Sequence, residues 1–225
     1  MKVTWLGQAG LLFETDKQKI IVDPYLSNSV EKIEPQNYRR VAVDNKFLQI
    51  VPNVILLTHN HLDHTDPETL AYYLSEESAV TVLAAPNAWQ TVRNAFGGVK
   101  NNYVRFHRGT EWTENGVHYK AVYAEHSDEK AIGIVMQAEG KTCYITGDTL
   151  YNEEIFKDLP PKIDYVFLPV NGRGNNMNMT DAKRFCEKIG GIAIPLHCGL
   201  FDNIDVNKWQ YNNKITLKFY EELAL

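Results

Sequence analysis

Short apolar runs rich in β-branched and aromatic side chains recur along the chain, separated by clusters of Gly, Pro, Asn and Asp. That is the pattern of strands joined by turns. Residues 3–6, 11–14 and 19–22 read as three short strands, with turns at 7–10 and 16–18. Residues 53–58 form a continuous apolar run ending on a threonine, as a strand buried on both faces does. Asp66, Pro67 and Glu68 then read as an N-cap with proline at the first helical position, opening a helix toward Ser75. Residues 81–84 predict a strand, and Pro86 begins a helix that Gly97 and Gly98 end. Further strands are expected over 117–124, 131–137, 142–146, 164–168 and 192–196. A short helix over 152–159 stops at Pro160 and Pro161, and a helix capped by Thr180 runs to Ile189 before two glycines. Residues 27–50 and 202–225 carry no pattern that assigns them. Nothing reads as a linker, so residues 1–225 are expected to form one α/β domain, mixed sheets covered by helices.

The residues just past the strand ends carry more information than the strands themselves. After 53–58 comes His59-Asn60-His61-Leu62-Asp63-His64, after 117–124 comes Glu125-His126-Ser127, after 142–146 comes Gly147-Asp148-Thr149, and after 192–196 comes His197. Five of the seven histidines therefore sit at such places, where loops carry function on a rigid scaffold. If those ends share one edge, the imidazoles and carboxylates converge into a set that suits zinc, manganese or iron. A run such as 59–64 arises by chance in roughly 3 of 10,000 chains of this composition, so the metal reading outweighs that of a polar loop with capping roles. His107 and His118 lack such company and read as surface or strand positions.

Charge narrows the partners. The 225 residues hold 23 basic and 28 acidic side chains, a formal net charge of −5. Nucleic-acid binding draws on surplus Lys and Arg, so no nucleic-acid partner is expected. The 44% hydrophobic and 23% charged fractions exclude a disordered or fibrous chain. Three widely spaced cysteines (Cys143, Cys186 and Cys198) suit reduced thiols. The first residues hold no apolar signal region, and no apolar run approaches the ~20 residues of a membrane span. A cytoplasmic protein without a membrane partner is the expectation.

The HxHxDH run, the later lone histidine, the Gly-Asp-Thr and the final strand-His resemble the metallo-β-lactamase superfamily of metal-dependent hydrolases. Trp5-Leu6-Gly7-Gln8-Ala9-Gly10, Asp23-Pro24, Pro169-Val170-Asn171-Gly172-Arg173 and Pro195-Leu196-His197 are similar to its L-ascorbate-6-phosphate lactonase branch. The resemblance implies an αββα sandwich of two mixed sheets flanked by helices, with the site at one edge. It implies that His59, His61 and His126 hold a first ion, that Asp63, His64 and His197 hold a second, and that Asp148 bridges them. One or two ions of Zn²⁺ or Mn²⁺ per chain are implied by the same resemblance, as is a homo-oligomer. Asp23 matches a carboxylate that orients a ligand histidine, although a turn residue before Pro24 explains it equally well. At Gln8 the chain departs from relatives that carry histidine there.

A divalent metal lowers the pKa of bound water from 15.7 to about 7, which would supply a hydroxide nucleophile at neutral pH. Asp63 or Asp148 beside it would accept the proton. Opening a lactone, cutting an activated ester and cleaving a phosphodiester all suit this machinery. Substrate contacts are expected from the loop 171–179, with Asn171 and with Arg173 either clamping an anion or lying solvated on the surface. Arg39 and Arg40 read as a solvated face. The first reading is a hydrolase of a small anionic substrate such as a sugar-phosphate lactone. A ribonuclease Z-like phosphodiesterase is the alternative, and a non-catalytic metal-binding protein is a third.

Overall fold

The computed structural model describes residues 1–97 and 100–225. The chain opens with a meander of three antiparallel strands, β1 (Lys2–Gly7), β2 (Gly10–Glu14) and β3 (Lys19–Val22). It then turns parallel, laying β4 (Val54–Leu57), β5 (Thr81–Ala84) and β6 (Asn102–Arg105) beside β3 in that order. Every residue of β4 and β5 is buried, because strands inside a parallel sheet are covered on both faces. The crossovers carry the helices α1 (Ser29–Ile33), α2 (Pro67–Leu70) and α3 (Pro86–Phe96).

A second sheet repeats this logic. An antiparallel meander of β7 (Glu111–Glu114), β8 (Val117–Tyr123), β9 (Ile132–Ala138) and β10 (Lys141–Ile145) is followed by two parallel strands. These are β11 (Tyr165–Pro169) and β12 (Ile192–Leu196), linked by the helix α4 (Met179–Ile189). A last strand, β13 (Glu222–Ala224), returns to the first sheet and pairs antiparallel with β1. The inner faces of both sheets share one apolar core, where Phe13 of β2 meets Phe167 of β11 edge to face at 5.2 Å. This is the expected sandwich. Cys143, Cys186 and Cys198 are buried and unpaired, and among the described residues no helix is long and apolar enough to cross a membrane.

Several boundaries differ from expectation. Helix α4 is capped by Asn178, two residues before Thr180: its side-chain oxygen accepts from the backbone N–H of Thr180 at 2.8 Å and of Asp181 at 3.0 Å. Helix α2 stops at Leu70 because Tyr72 and Tyr73 bond back three residues rather than four, tightening the chain. The 152–159 segment is a 3₁₀ turn over Glu153–Lys157. Gly97 ends α3, while Gly98 lies outside the described residues. Arg39 is not a solvated residue: its guanidinium donates to the carbonyl of Tyr25 at 2.7 Å and to the Tyr220 hydroxyl at 2.9 Å. It thereby ties the unassigned segment 27–50 to the unassigned tail, whose Phe219 ring lies 4.2 Å from that of Trp5.

Candidate metal centre

The first three parallel strands of sheet one run the same way, as do the last three of sheet two, so their C-terminal ends open onto one edge. Asp23 follows β3, Thr58 and His59 follow β4, Asp148 follows β10 and His197 follows β12. Beyond His59 the chain folds into a turn in which the His61 carbonyl accepts from the N–H of His64 at 3.0 Å and of Thr65 at 2.8 Å. The Thr65 hydroxyl donates to the His59 carbonyl at 2.7 Å, and Asp66 caps α2 as expected. Side chains two and five positions beyond His59 are thus returned to its neighbourhood.

Three groups of ligand atoms result, each with its members within 4.8 Å of one another. They are His59, His61, His126 and Asp148; Asp63, His64 and His197; and Asp23, His59 and His64. Asp148 reaches across the first two, with its oxygens 3.2 Å from His64 Nε2 and 3.2 Å from His197 Nε2. The donor set fits a divalent ion on its own geometry. His59 Nε2, His126 Nε2 and Asp148 Oδ1 are buried and lack hydrogen-bond partners, a condition that costs about 1–3 kcal/mol per group unless something else binds there.

Asp23 organises the histidines from behind. Its Oδ2 lies 2.8 Å from His64 Nδ1 and accepts from the Thr58 hydroxyl at 2.5 Å, while its Oδ1 accepts from the Thr58 N–H at 2.8 Å. The Thr58 oxygen in turn lies 3.1 Å from His59 Nδ1. Each ring therefore has an oxygen beside Nδ1 that can accept its proton, which leaves Nε2 to face the cluster. Asp23, Gln8 and His197 hold left-handed backbone conformations, with φ of 41°, 49° and 57°. Strain of this kind persists only where surrounding contacts enforce it; the Gln8 carbonyl, for one, accepts from the His197 N–H at 3.0 Å.

Electrostatics divide the cluster in two. Burial, reinforced by the neighbouring histidines, drives His59 well below the usual histidine range and His126 down to about 4. Burial also opposes charge on His64 and His197, but the carboxylates around them win. Asp148, Asp63 and Asp23 hold His64 well above its ordinary value, and Asp148 and Asp63 lift His197 to about 9. The same pairs keep Asp148 and Asp63 below the usual carboxylate range against the opposing effect of burial. Without a metal, His59 and His126 are neutral, whereas His64 and His197 are protonated and ion-paired.

Sequence reasoning missed the side chains that fasten this arrangement. Gln8 Nε2 donates to Asp63 Oδ2 at 3.0 Å, and Asn176 Nδ2 donates to Asp148 Oδ2 at 3.0 Å. Asn171, expected to touch substrate, has its amide nitrogen 3.0 Å from His197 Nδ1. Arg173 lines an open cleft of about 400 Å³ together with His61, Asp63, His126, Asp148 and His197. Gly147 belongs to this framework too. A methyl group on it would lie 2.9 Å from Thr58 Cβ, and its φ of +60° suits glycine. Gly147→Ala is expected to lower stability by about 2 kcal/mol, measured by urea denaturation; an unchanged midpoint would mean that Thr58 has room to move.

Comparison with known proteins agrees with this geometry. The chain matches the beta-lactamase superfamily domain over residues 2–197. Metal-dependent hydrolases of Staphylococcus aureus and Staphylococcus epidermidis are each 29% identical to it, covering 96% of this chain and 94% and 93% of their own. Among solved structures, a metallo hydrolase of the archaeon Ignicoccus hospitalis superposes with a TM-score of 0.76 at 16% identity, covering 99% of this chain and 97% of that one. An isothiocyanate hydrolase from Delia radicum gut bacteria superposes with a TM-score of 0.77 at 18% identity, covering 100% and 99%. Those two likenesses show the shared fold, and the family match extends from the first strand to His197. The chain belongs to the metallo-β-lactamase superfamily of metal-dependent hydrolases.

Proposed function

We propose that this protein hydrolyses a small ester or lactone bearing one anionic group, and that the substrate lies in the cleft above the histidine and aspartate cluster. The observation that carries the reading is a set of three buried, unpartnered ligand atoms, on His59, His126 and Asp148, of which the last two residues line an open cleft. In this reading His59, His61 and His126 hold a first divalent ion and Asp63, His64 and His197 a second, with Asp148 shared. A bound ion lowers the pKa of water toward neutrality and polarises the bond under attack. The protein supplies the rest. Asp63 spends Oδ2 on Gln8 and His197, leaving Oδ1 to accept a proton. Asn171 lies beside His197 Nδ1, and the Gln8 carbonyl accepts from the His197 backbone N–H, which together hold His197 in place. The resemblance in sequence makes a sugar-phosphate lactone the first substrate to try, and zinc or manganese the first metals. Three buried unpaired thiols support a reducing compartment such as the cytoplasm.

The nuclease alternative loses ground on the lining of the cleft, where Glu34, Asp63, Asp148 and Asp202 accompany the single guanidinium of Arg173. Proton release followed with a pH indicator tests the reading. Zinc- and manganese-loaded protein would be given lactones, their phosphates and simple phosphodiesters, beside a chelated control. Chelator-sensitive lactone or ester opening is expected, and turnover of phosphodiesters alone would replace the reading with the nuclease. Arg173→Ala is expected to raise KM for an anionic substrate about tenfold or more while changing kcat little, as loss of a charge-assisted contact made equally in ground and transition states does. Equal KM in both proteins would return Arg173 to the solvated surface.

A further inference from the structure

We infer that the cleft is built for an amphiphilic substrate, one whose anionic group lies at Arg173 and whose other end is a short hydrocarbon chain. The inference rests on the hydrolase reading above and narrows its substrate class. The lining of the cleft has two chemically distinct parts. One is polar, made by Arg173 and its neighbouring asparagines. The other is apolar, made by Val30 and Ile33 of α1 together with Leu62 and Phe201.

The apolar part is not a fringe of the main core. Val30 and Phe201 belong to a separate cluster with Tyr25 and Leu200, against which Leu62 packs. Val30 is held down by the Tyr25 hydroxyl, which accepts from its backbone N–H at 3.2 Å. One turn further on, Ile33 is 72% exposed at the cleft, the second most exposed large apolar side chain among the described residues. A lone exposed isoleucine is ordinary, but one that shares the lining of a cleft with Val30, Leu62 and Phe201 adds apolar surface that a ligand can cover.

Charge sorts the two ends of that ligand. Glu34 follows Ile33, Asp202 follows Phe201, and both carboxylates line the cleft. An anion placed along the apolar part would meet them, whereas Arg173 offers the lining's one guanidinium. A bare sugar phosphate, hydroxylated along its length, leaves Ile33 facing water. An acyl or alkyl ester or lactone with a single anionic group fills both parts, and Asp63, His126, Asp148 and His197 of the same lining receive its scissile carbonyl.

The test reads binding separately from turnover. Butanoate, hexanoate and octanoate are titrated calorimetrically into zinc-loaded protein, and the same preparation is assayed for lactone and ester opening. Affinity is expected to rise about fourfold per added methylene. Ile33→Ser, a surface change that leaves the fold intact by circular dichroism, is expected to flatten that dependence. Arg173→Ala is expected to weaken all three ligands alike and keep the dependence. Affinity independent of chain length, or a dependence unchanged in Ile33→Ser, would overturn the apolar subsite while turnover still upheld the hydrolase. Chain-length-dependent binding without any turnover would do the reverse.

Discussion

Asp148→Asn is expected to lower metal-dependent turnover by on the order of 10³-fold or more while leaving the fold in place. The change is isosteric, and Asp148 is only 6% exposed, so little about packing alters. What alters is charge and lone pairs at the one side chain that reaches both groups of ligand atoms. Oδ2 already accepts from Asn176 and lies against His197, so an amide nitrogen at that position would face a donor. The remaining orientation puts the amide nitrogen at the buried, unpartnered Oδ1 position, where it has no lone pair to offer an ion. Either way the cluster loses a ligand and the negative charge that offsets an incoming cation. Steady-state kinetics on the loaded variant, with metal content measured on the same sample, check this. The thermal midpoint of the wild type is expected to rise on adding metal, since binding to the native state alone stabilises it, and that rise should shrink in the variant. Turnover equal to wild type would remove Asp148 from its shared position.

Local chemistry is what sequence reveals best. Strands β4 and β5 are legible because burial on both faces demands continuous apolar residues. The run from His59 to His64 is legible because its ligands are neighbours in sequence. Strands β6, β7 and β13 lie outermost or next to solvent, with exposed charged residues such as Arg105, Glu111 and Glu222 interrupting any alternation. The tail reads as patternless for the same reason, yet its Phe219 and β13 close the edge beside Trp5 and β1. The supports of the site were hidden by distance along the chain. Gln8 meets Asp63 across 55 positions, and Asn176 meets Asp148 across 28. Asparagine before the α4 cap and glutamine in a turn are common residues with common local uses, so only the fold shows which carboxylates these two hold.

The two readings of Asp23 make opposite predictions for a single substitution. Its backbone is left-handed, with φ of 41°, a conformation that asparagine adopts as readily as aspartate. If Asp23 served only the turn before Pro24, Asp23→Asn would be silent. The contacts argue otherwise. The carboxylate accepts from Thr58 twice and holds His64 Nδ1 at 2.8 Å. An amide group there can keep the bond from the Thr58 N–H to its oxygen, but its nitrogen then faces the Thr58 hydroxyl and His64 Nδ1. Both must reverse. His64 would take its proton on Nε2, and the Thr58 hydroxyl, turned to donate, would push the His59 proton to Nε2 as well. Two lone pairs leave the cluster through one remote change. Zinc affinity, read by competition with a chromophoric chelator, is expected to fall about 10–100-fold. Thr58→Val severs only the arm to His59 and should produce the smaller loss of the two. Unchanged affinity in Asp23→Asn would leave the carboxylate as a turn residue, and equal losses in both variants would place the whole effect on the relay through Thr58.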